Sequence, residues 1–370
     1  MVFLLSPFAF QPLPMTTHSN ITPDPEKQSG GDRYARQVCF APLGADGQQQ
    51  LAAGRALVCG CGALGSVIAN TLVRAGVGMV RIVDRDFLEM NNLQRQVIFD
   101  EQDVTSGLPK AIAAAQKLAT VNSQVTIEPV VEDVTYANIH TIAADVDVIV
   151  DGTDNFETRM LINDFAVKEA KPWIYGGCIG AEGQTMTILP GKTACLGCLM
   201  PELPPPGTTP TCDTAGILGP IVNVIASFEA MEAIKILSGN LEATNRQLMI
   251  FEMWHNRVRQ LDTTKLFEAG TCLTCVKHEF RWLDGKLSSG SAVLCGRNSV
   301  QIGAPAGGQV SFPQLAQKLA SVGEVTHNRY LLRVTIGKHQ LTVFADGRTI
   351  VAGTDDVSTA RSLVAKYVGS

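Results

Sequence analysis

Apolar and polar positions change period along this chain, and the changes divide it into elements. Between Ala56 and Asp154, short apolar runs alternate with longer stretches in which apolar residues recur every three or four positions. The runs "ALVCG", "MVRIVD", "VTIEPVV" and "VDVIVDGTD" have the length and continuity of buried strands, whereas "GSVIANTLVRAG" and "KAIAAAQKLATVN" carry the helical period. This βαβαβ order predicts an α/β fold. Its sheet should be doubly wound, Rossmann-like and mostly parallel, because each strand-helix-strand crossover returns the chain in the same direction.

Beyond Asn155 the pattern loosens. "YGGCIGAEGQTMTILPG" reads as further strands and loops, followed by a Pro-rich loop, "MPELPPPGTTPTCDTAG". A strong helix, "NVIASFEAMEAIKILSG", is then closed by Gly239 at its C-terminal cap. Residues 280–370 form a pattern of their own. A strand "AVLCGRNSVQI", a helix "FPQLAQKLASV", a hairpin through "RYLLRVTIGKHQLTVFADGRTIV" and a helix "DVSTARSLVAKYV" predict a small α+β module with no assigned role. Residues 1–30 are rich in Pro, Ser, Thr and Asn without periodicity and read as a disordered lead-in, with Met15 as an alternative start. The expected plan is a lead-in over 1–30, a nucleotide-binding domain over 31–279 and the module over 280–370. No internal repeat is present.

Length and charge narrow the function. At 370 residues the chain can build one large core and a smaller one. A net charge of −5 without any basic block argues against nucleic acid as partner. No apolar run approaches the roughly 20 residues that span a bilayer, and "VFLLSPFAF" is Pro-interrupted with no basic residue before it, so neither membrane anchor nor signal peptide is expected. Ten cysteines, four of them in two Cys-x-x-Cys pairs, suggest metal binding in a reducing compartment, so the expected location is cytoplasmic.

The candidate chemistry gathers at strand ends. Gly60, Gly62 and Gly65 lie between a strand and a helix, where glycines let phosphates approach the helix N-terminus, and Asp84 ends the next strand at the place for ribose hydroxyls. These features suit NAD and ATP equally. Asn91, Asn92, Gln94 and Arg95 follow in one polar run, and Lys110 opens a helix. Two cations beside a phosphate loop favour a triphosphate, although surface Arg and Lys are commonly only solvated. Asp151, Asp154 and Asn155 close the strand "VDVIVDGTDN". Asp154 is there either a Mg²⁺ ligand or the cap of the following helix. Cys195, Cys198, Cys272 and Cys275 supply the four thiolates of a closed tetrahedral Zn²⁺ site.

Taken in order, "DRYARQ", "GCGALGS", "NNLQRQ", "LPK", "DGTDN", "CLGC", "TCDTAGILGP", "EAMEAIKILSG" and "CLTC" resemble the ThiF/MoeB/HesA adenylyltransferases, relatives of ubiquitin-activating enzymes, from Arg33 to His278. The resemblance implies an enzyme that uses ATP and Mg²⁺ to transfer AMP onto the C-terminal glycine of a ubiquitin-like sulfur carrier ending in Gly-Gly. It assigns the ribose to Asp84 and the phosphates to Asn92, Arg95 and Lys110. Asp154 falls to Mg²⁺, with Asp86, Asn91 and Asn155 among the nucleotide contacts. Arg36 matches an arginine that reaches the triphosphate from the other subunit of a homodimer. Cys212 matches a cysteine used by some members in acyl or persulfide transfer, which brings in a cysteine desulfurase or other sulfur donor as a partner. The loop around "TCDTAGILGP" is most similar to the thiazole-forming, thiamine-pathway members with their ThiS-like carrier. Activation of a MoaD-like molybdopterin-synthase subunit is the alternative. Cys39, Cys59, Cys61 and Cys178 are expected to be small packing residues, and Cys295 a structural one.

Overall fold

The computed structural model describes residues 33–203, 215–287, 291–294, 298–303 and 310–368. The expected lead-in, Cys212 and Cys295 lie outside the described residues.

The first sheet has eight strands: β1 Arg55–Cys59, β2 Met79–Val83, β3 Thr126–Val130, β4 Val148–Asp151, β5 Trp173–Ile179, β6 Glu182–Ile188, β7 Gln247–Glu252 and β8 Arg257–Asp262. They lie in the order β3-β2-β1-β4-β5-β6-β7-β8. Pairing is parallel from β3 to β5 and antiparallel from β5 to β8. The central strands β1 and β4 read as near-continuous apolar runs because both their faces are covered. In β1, Ala56 and Val58 pack among the helices Ala63–Ala75, Lys110–Val121 and Gly219–Leu237, while Leu57 and Cys59 face Ile162 and Phe165 of the helix Phe156–Lys168. β3 is an edge strand, which is where its Pro129 can sit without costing a ladder bond. The long helix starts at Gly219, four residues before the apolar pattern predicts, since Pro220 is tolerated in a first turn. Gly239 ends it at φ +79°.

The second sheet is wholly antiparallel: β9 Ser291–Leu294, β10 Ser299–Ile302, β11 Glu324–His327, β12 Leu331–Ile336, β13 His339–Phe344 and β14 Thr349–Ala352, in the order β11-β12-β13-β14-β10-β9. The helices Phe312–Leu319 and Val357–Tyr367 cover it through Leu315, Leu319, Ala360 and Val364. Two expectations are corrected. "AVLCGRNSVQI" is two strands rather than one, paired antiparallel with Leu294 opposite Ser299, and Asn298 stands just before the second at φ +45°. The expected hairpin is a three-strand meander, because "ADGRTIV" turns at Gly347 and adds β14.

Phe280, Trp282 and Leu283 pack into the core of the first unit, and Asp164 accepts the Trp282 N–H at 2.9 Å. No described helix is long and apolar enough to cross a membrane.

Candidate active site and metal centre

Strand order reverses between β1 and β4, and open α/β sheets bind ligands at such a switch point, beyond the carboxyl ends of the strands. The Gly-rich loop leaves β1 there and Gly152-Thr153-Asp154 leaves β4. Gly60 has φ +89°, and a Cβ on it would lie 2.5 Å from the Gly152 carbonyl oxygen. A Cβ on Gly65 would lie 1.9 Å from the Gly60 carbonyl oxygen. One on Gly62 would meet only Gln96 Nε2, at 4.0 Å. Gly60 and Gly65 therefore lock the two loops together, and Gly62, the N-cap of the helix Ala63–Ala75, keeps open the space over the helix N-terminus.

Asp84 pins this loop. Its Oδ2 accepts the Cys61 N–H at 2.6 Å and its Oδ1 the Asp86 N–H at 2.6 Å. Burial pushes its carboxyl above the usual range against the pull of Lys110. Lys110 itself is 2 % exposed, and its ammonium faces Asp86 Oδ2 at 3.4 Å. Asn92 is buried and bonded to Asn91, its Oδ1 accepting the Glu89 N–H, so the polar run is held as a short turn. Arg95 donates to the Asn91 carbonyl at 2.9 Å. Arg36 is exposed on a short helix and makes no ion pair with a described residue.

At the end of β4 the cap reading of Asp154 is corrected. Asn155 is the N-cap of the helix Phe156–Lys168, accepting the Thr158 N–H at 2.9 Å, and Asp154 stays exposed beside it. The pattern of the sequence gives no sign of Arg159. Its guanidinium is buried, bonds Asp151 Oδ2 at 2.9 Å, and donates to the carbonyls of Thr153 and Gly176. It thereby fixes the backbone that carries Asp154. Arg159 belongs to no motif of recognised spacing, and although Gly152 stands within "DGTDN", its packing on Gly60 spans ninety-odd residues of sequence.

The four cysteines come together from two distant pairs. Sγ separations are 3.9 Å for Cys195–Cys198, 3.6 Å for Cys195–Cys272 and 3.3 Å for Cys198–Cys275. Bonds of about 2.3 Å to a tetrahedral ion put neighbouring sulfurs about 3.8 Å apart, so the set can hold a metal. Asn163 supports it, accepting the Leu196 N–H at 2.8 Å and pointing its amide at Cys195 Sγ. Elsewhere, Cys59 and Cys61 are fully buried, and burial holds both thiols well above their usual range. Cys178 is half-buried. Cys39 is exposed, which corrects its assignment as a packing residue, because it ends the short outer helix Ala35–Val38.

Comparison with known proteins follows the same lines. The ThiF family profile matches residues 34–273. The sulfur carrier protein ThiS adenylyltransferase of Bacillus subtilis is 43 % identical over 338 residues, 91 % of this chain and 99 % of that protein. The sulfur carrier protein adenylyltransferase of Thermus thermophilus is 37 % identical over 62 % of this chain and 86 % of its own. Among solved structures, Escherichia coli MccB with ATP superposes with a TM-score of 0.57 at 22 % identity, covering 66 % of this chain and 75 % of that one, and shares the fold. The chain belongs to the ThiF family.

Proposed function

We propose that this protein adenylylates the C-terminal glycine of a ThiS-like, ubiquitin-like sulfur carrier and so prepares it for sulfur transfer in thiazole formation. The observation that carries this reading is the span of the likeness. The match to the ThiS adenylyltransferase takes in 91 % of the chain and hence most of the C-terminal module, whereas the match to an adenylyltransferase and sulfurtransferase MOCS3 of Culex quinquefasciatus takes in 62 %. That favours the ThiS-like carrier over the MoaD-like one.

The chemistry is a meeting of anions. The carrier carboxylate attacks the α-phosphorus of ATP, a new P–O bond forms, and pyrophosphate leaves with the electrons of the broken bond. A carboxylate is already ionised near neutral pH, so no general base is needed. Catalysis rests on alignment and charge neutralisation. The phosphates would lie over Gly62 and the helix N-terminus, with Asp86 toward the ribose and Arg95 and Lys110 toward the phosphates. Asp84 acts chiefly by holding the loop. Asp154 would hold Mg²⁺, which when bound screens phosphate charge. In our reading Arg36, exposed and unpaired within its own described chain, enters the site of a second subunit in a homodimer. Cys212 is the candidate thiol for a later covalent step with a sulfur donor. Zinc in the four-cysteine site would be structural, since no coordination position is left for water. Free thiols and zinc ligation both fit a reducing, cytoplasmic setting.

The test is ATP-pyrophosphate exchange with ThiS-type and MoaD-type carriers, each intact or lacking its last glycine. Exchange is expected with the intact ThiS-type carrier and should fall by about 10²-fold on Arg95→Ala, the scale of a lost transition-state charge contact. Exchange with the MoaD-type carrier alone would favour the alternative, and none with either would overturn the assignment.

A further inference from the structure

The loop after β2 has two sides. Asp84 and Asp86 turn toward the Gly-rich loop and Lys110. Arg85 and Phe87 turn the other way, toward the C-terminal module. Phe87 belongs to neither large core of the first unit; it sits in a separate cluster with Leu331, Phe344 and Ile350, all from the module. Its ring centroid is 5.7 Å from that of Phe344, and the Arg333 guanidinium lies 5.3 Å over it. Beside this contact Asp133 accepts two bonds from Arg85, at 2.6 and 2.7 Å, and one from Gln301 of the module at 2.6 Å. Arg348, 4 % exposed, stacks 3.9 Å over Phe344 with its nearest nitrogen 3.9 Å from Asp133. A third link runs from Asn328 Nδ2 to the Gly107 carbonyl at 3.2 Å.

These links grip the two segments that carry the candidate nucleotide contacts. Phe87 directly follows Asp86 and bridges backbone to backbone with Pro109, the residue before Lys110. Lys110 N–H donates to the Asp86 carbonyl at 2.8 Å. Whatever holds Phe87 therefore holds Asp86 and Lys110 at once, and Gly107 is held from the other end.

We infer that the C-terminal module is a brace for the ATP site, and that Phe87 and Phe344 are positioning residues which fix the Asp86–Asn92 loop and Lys110 before nucleotide arrives. The inference rests on the adenylyltransferase reading for its kinetic arm. A loop ordered in advance loses less conformational freedom on binding, and the benefit falls on ATP rather than on the carrier.

The experiment uses the full chain with Phe87→Ala, Phe344→Ala, the double variant and Phe344→Leu. KM for ATP in carrier-dependent exchange, and Kd for an ATP analogue with a methylene between the α- and β-phosphorus, should rise about tenfold or more in each single alanine variant, the scale of a small misplacement. KM for the carrier should stay within about twofold, since the contact touches only the nucleotide loop. The double variant should be no worse than either single, because both remove one shared contact, and Phe344→Leu should restore most of the affinity. Unchanged nucleotide affinity in folded variants, or an additive double variant, would overturn the brace. Should Phe344→Ala fail to fold, Phe87→Ala and Asn328→Ala carry the same test. If the wild type supports no exchange, the adenylyltransferase reading fails, while the analogue's Kd still decides the brace.

Discussion

Glu229 is fully buried in the long helix against β5, and neither carboxyl oxygen has a hydrogen-bond partner among the described residues. Room for it exists because residue 176 is glycine: a Cβ there would lie 2.3 Å from Glu229 Cδ. Burial, and then the charge of Asp151, push its carboxyl well above the usual range despite the nearby Arg159. The folded state thus retains a proton that the unfolded chain releases, so stability is lost as pH rises. Glu229→Gln, neutral at every pH, should gain on the wild type by about 1.4 kcal/mol per pH unit from about pH 4.5 upward until Glu229 itself ionises. Urea midpoints of both proteins across that interval check this, and a pH-independent gap would contradict it. Gly65 makes a second case. Gly65→Ala places a methyl against backbone that cannot turn aside, which should cost 1–3 kcal/mol or more, as roughly expected for overpacking, and abolish nucleotide binding while leaving metal content unchanged by metal analysis. The glycines were legible because their spacing after a strand is a local pattern. Arg159 was not, nor was the packing role of Gly152 and Glu229, which stand within "DGTDN" and "EAMEAIKILSG", because what makes them matter is a partner far away in sequence.

Strands and helices were legible where one period ran long enough. β1 to β4 and the helices Ala63–Ala75 and Lys110–Val121 stand where the apolar runs and the helical period place them, and β1 and β4, buried on both faces, are apolar nearly throughout. The short helices Glu101–Ser106 and Ile139–Ile142 carry too few turns to show a period. The misreadings came at turns. Ser291–Leu294 and Ser299–Ile302 are two paired strands where one was expected, and the length of an apolar run cannot tell a hairpin from a single strand. The cap at Asn155 was missed because Asp154 and Asn155 are both good caps and adjacent. Cysteine spacing fared better, as two Cys-x-x-Cys pairs met despite the long interval between them. Here the expectation is that Cys198→Ser, or chelation of the wild type, lowers the thermal midpoint and releases about one zinc per chain, because the binding free energy of such a site is coupled to folding. Purified, reduced protein without zinc would count against it.

The whole molecule is two sheets of opposite character, one mixed and covered on both faces across its parallel half, the other antiparallel with helices on one face. That division was visible in the sequence as a change from long crossover helices to short strands. Invisible was the contact between the units, since Phe87, Gln301 and Arg348 belong to no common pattern and meet only after both sheets have formed. The four-cysteine cluster imposes an order of events on synthesis. Its two halves lie 77 residues apart, so at about 5–20 residues per second the first pair of thiols waits roughly 4–15 seconds on the ribosome for the second. Trp282 and Leu283, which seal the core beneath Asp164, emerge later still. Until then the nascent chain carries one pair of thiols without its partner pair, so, with zinc as the proposed occupant, zinc and reductant would have to be at hand through that interval.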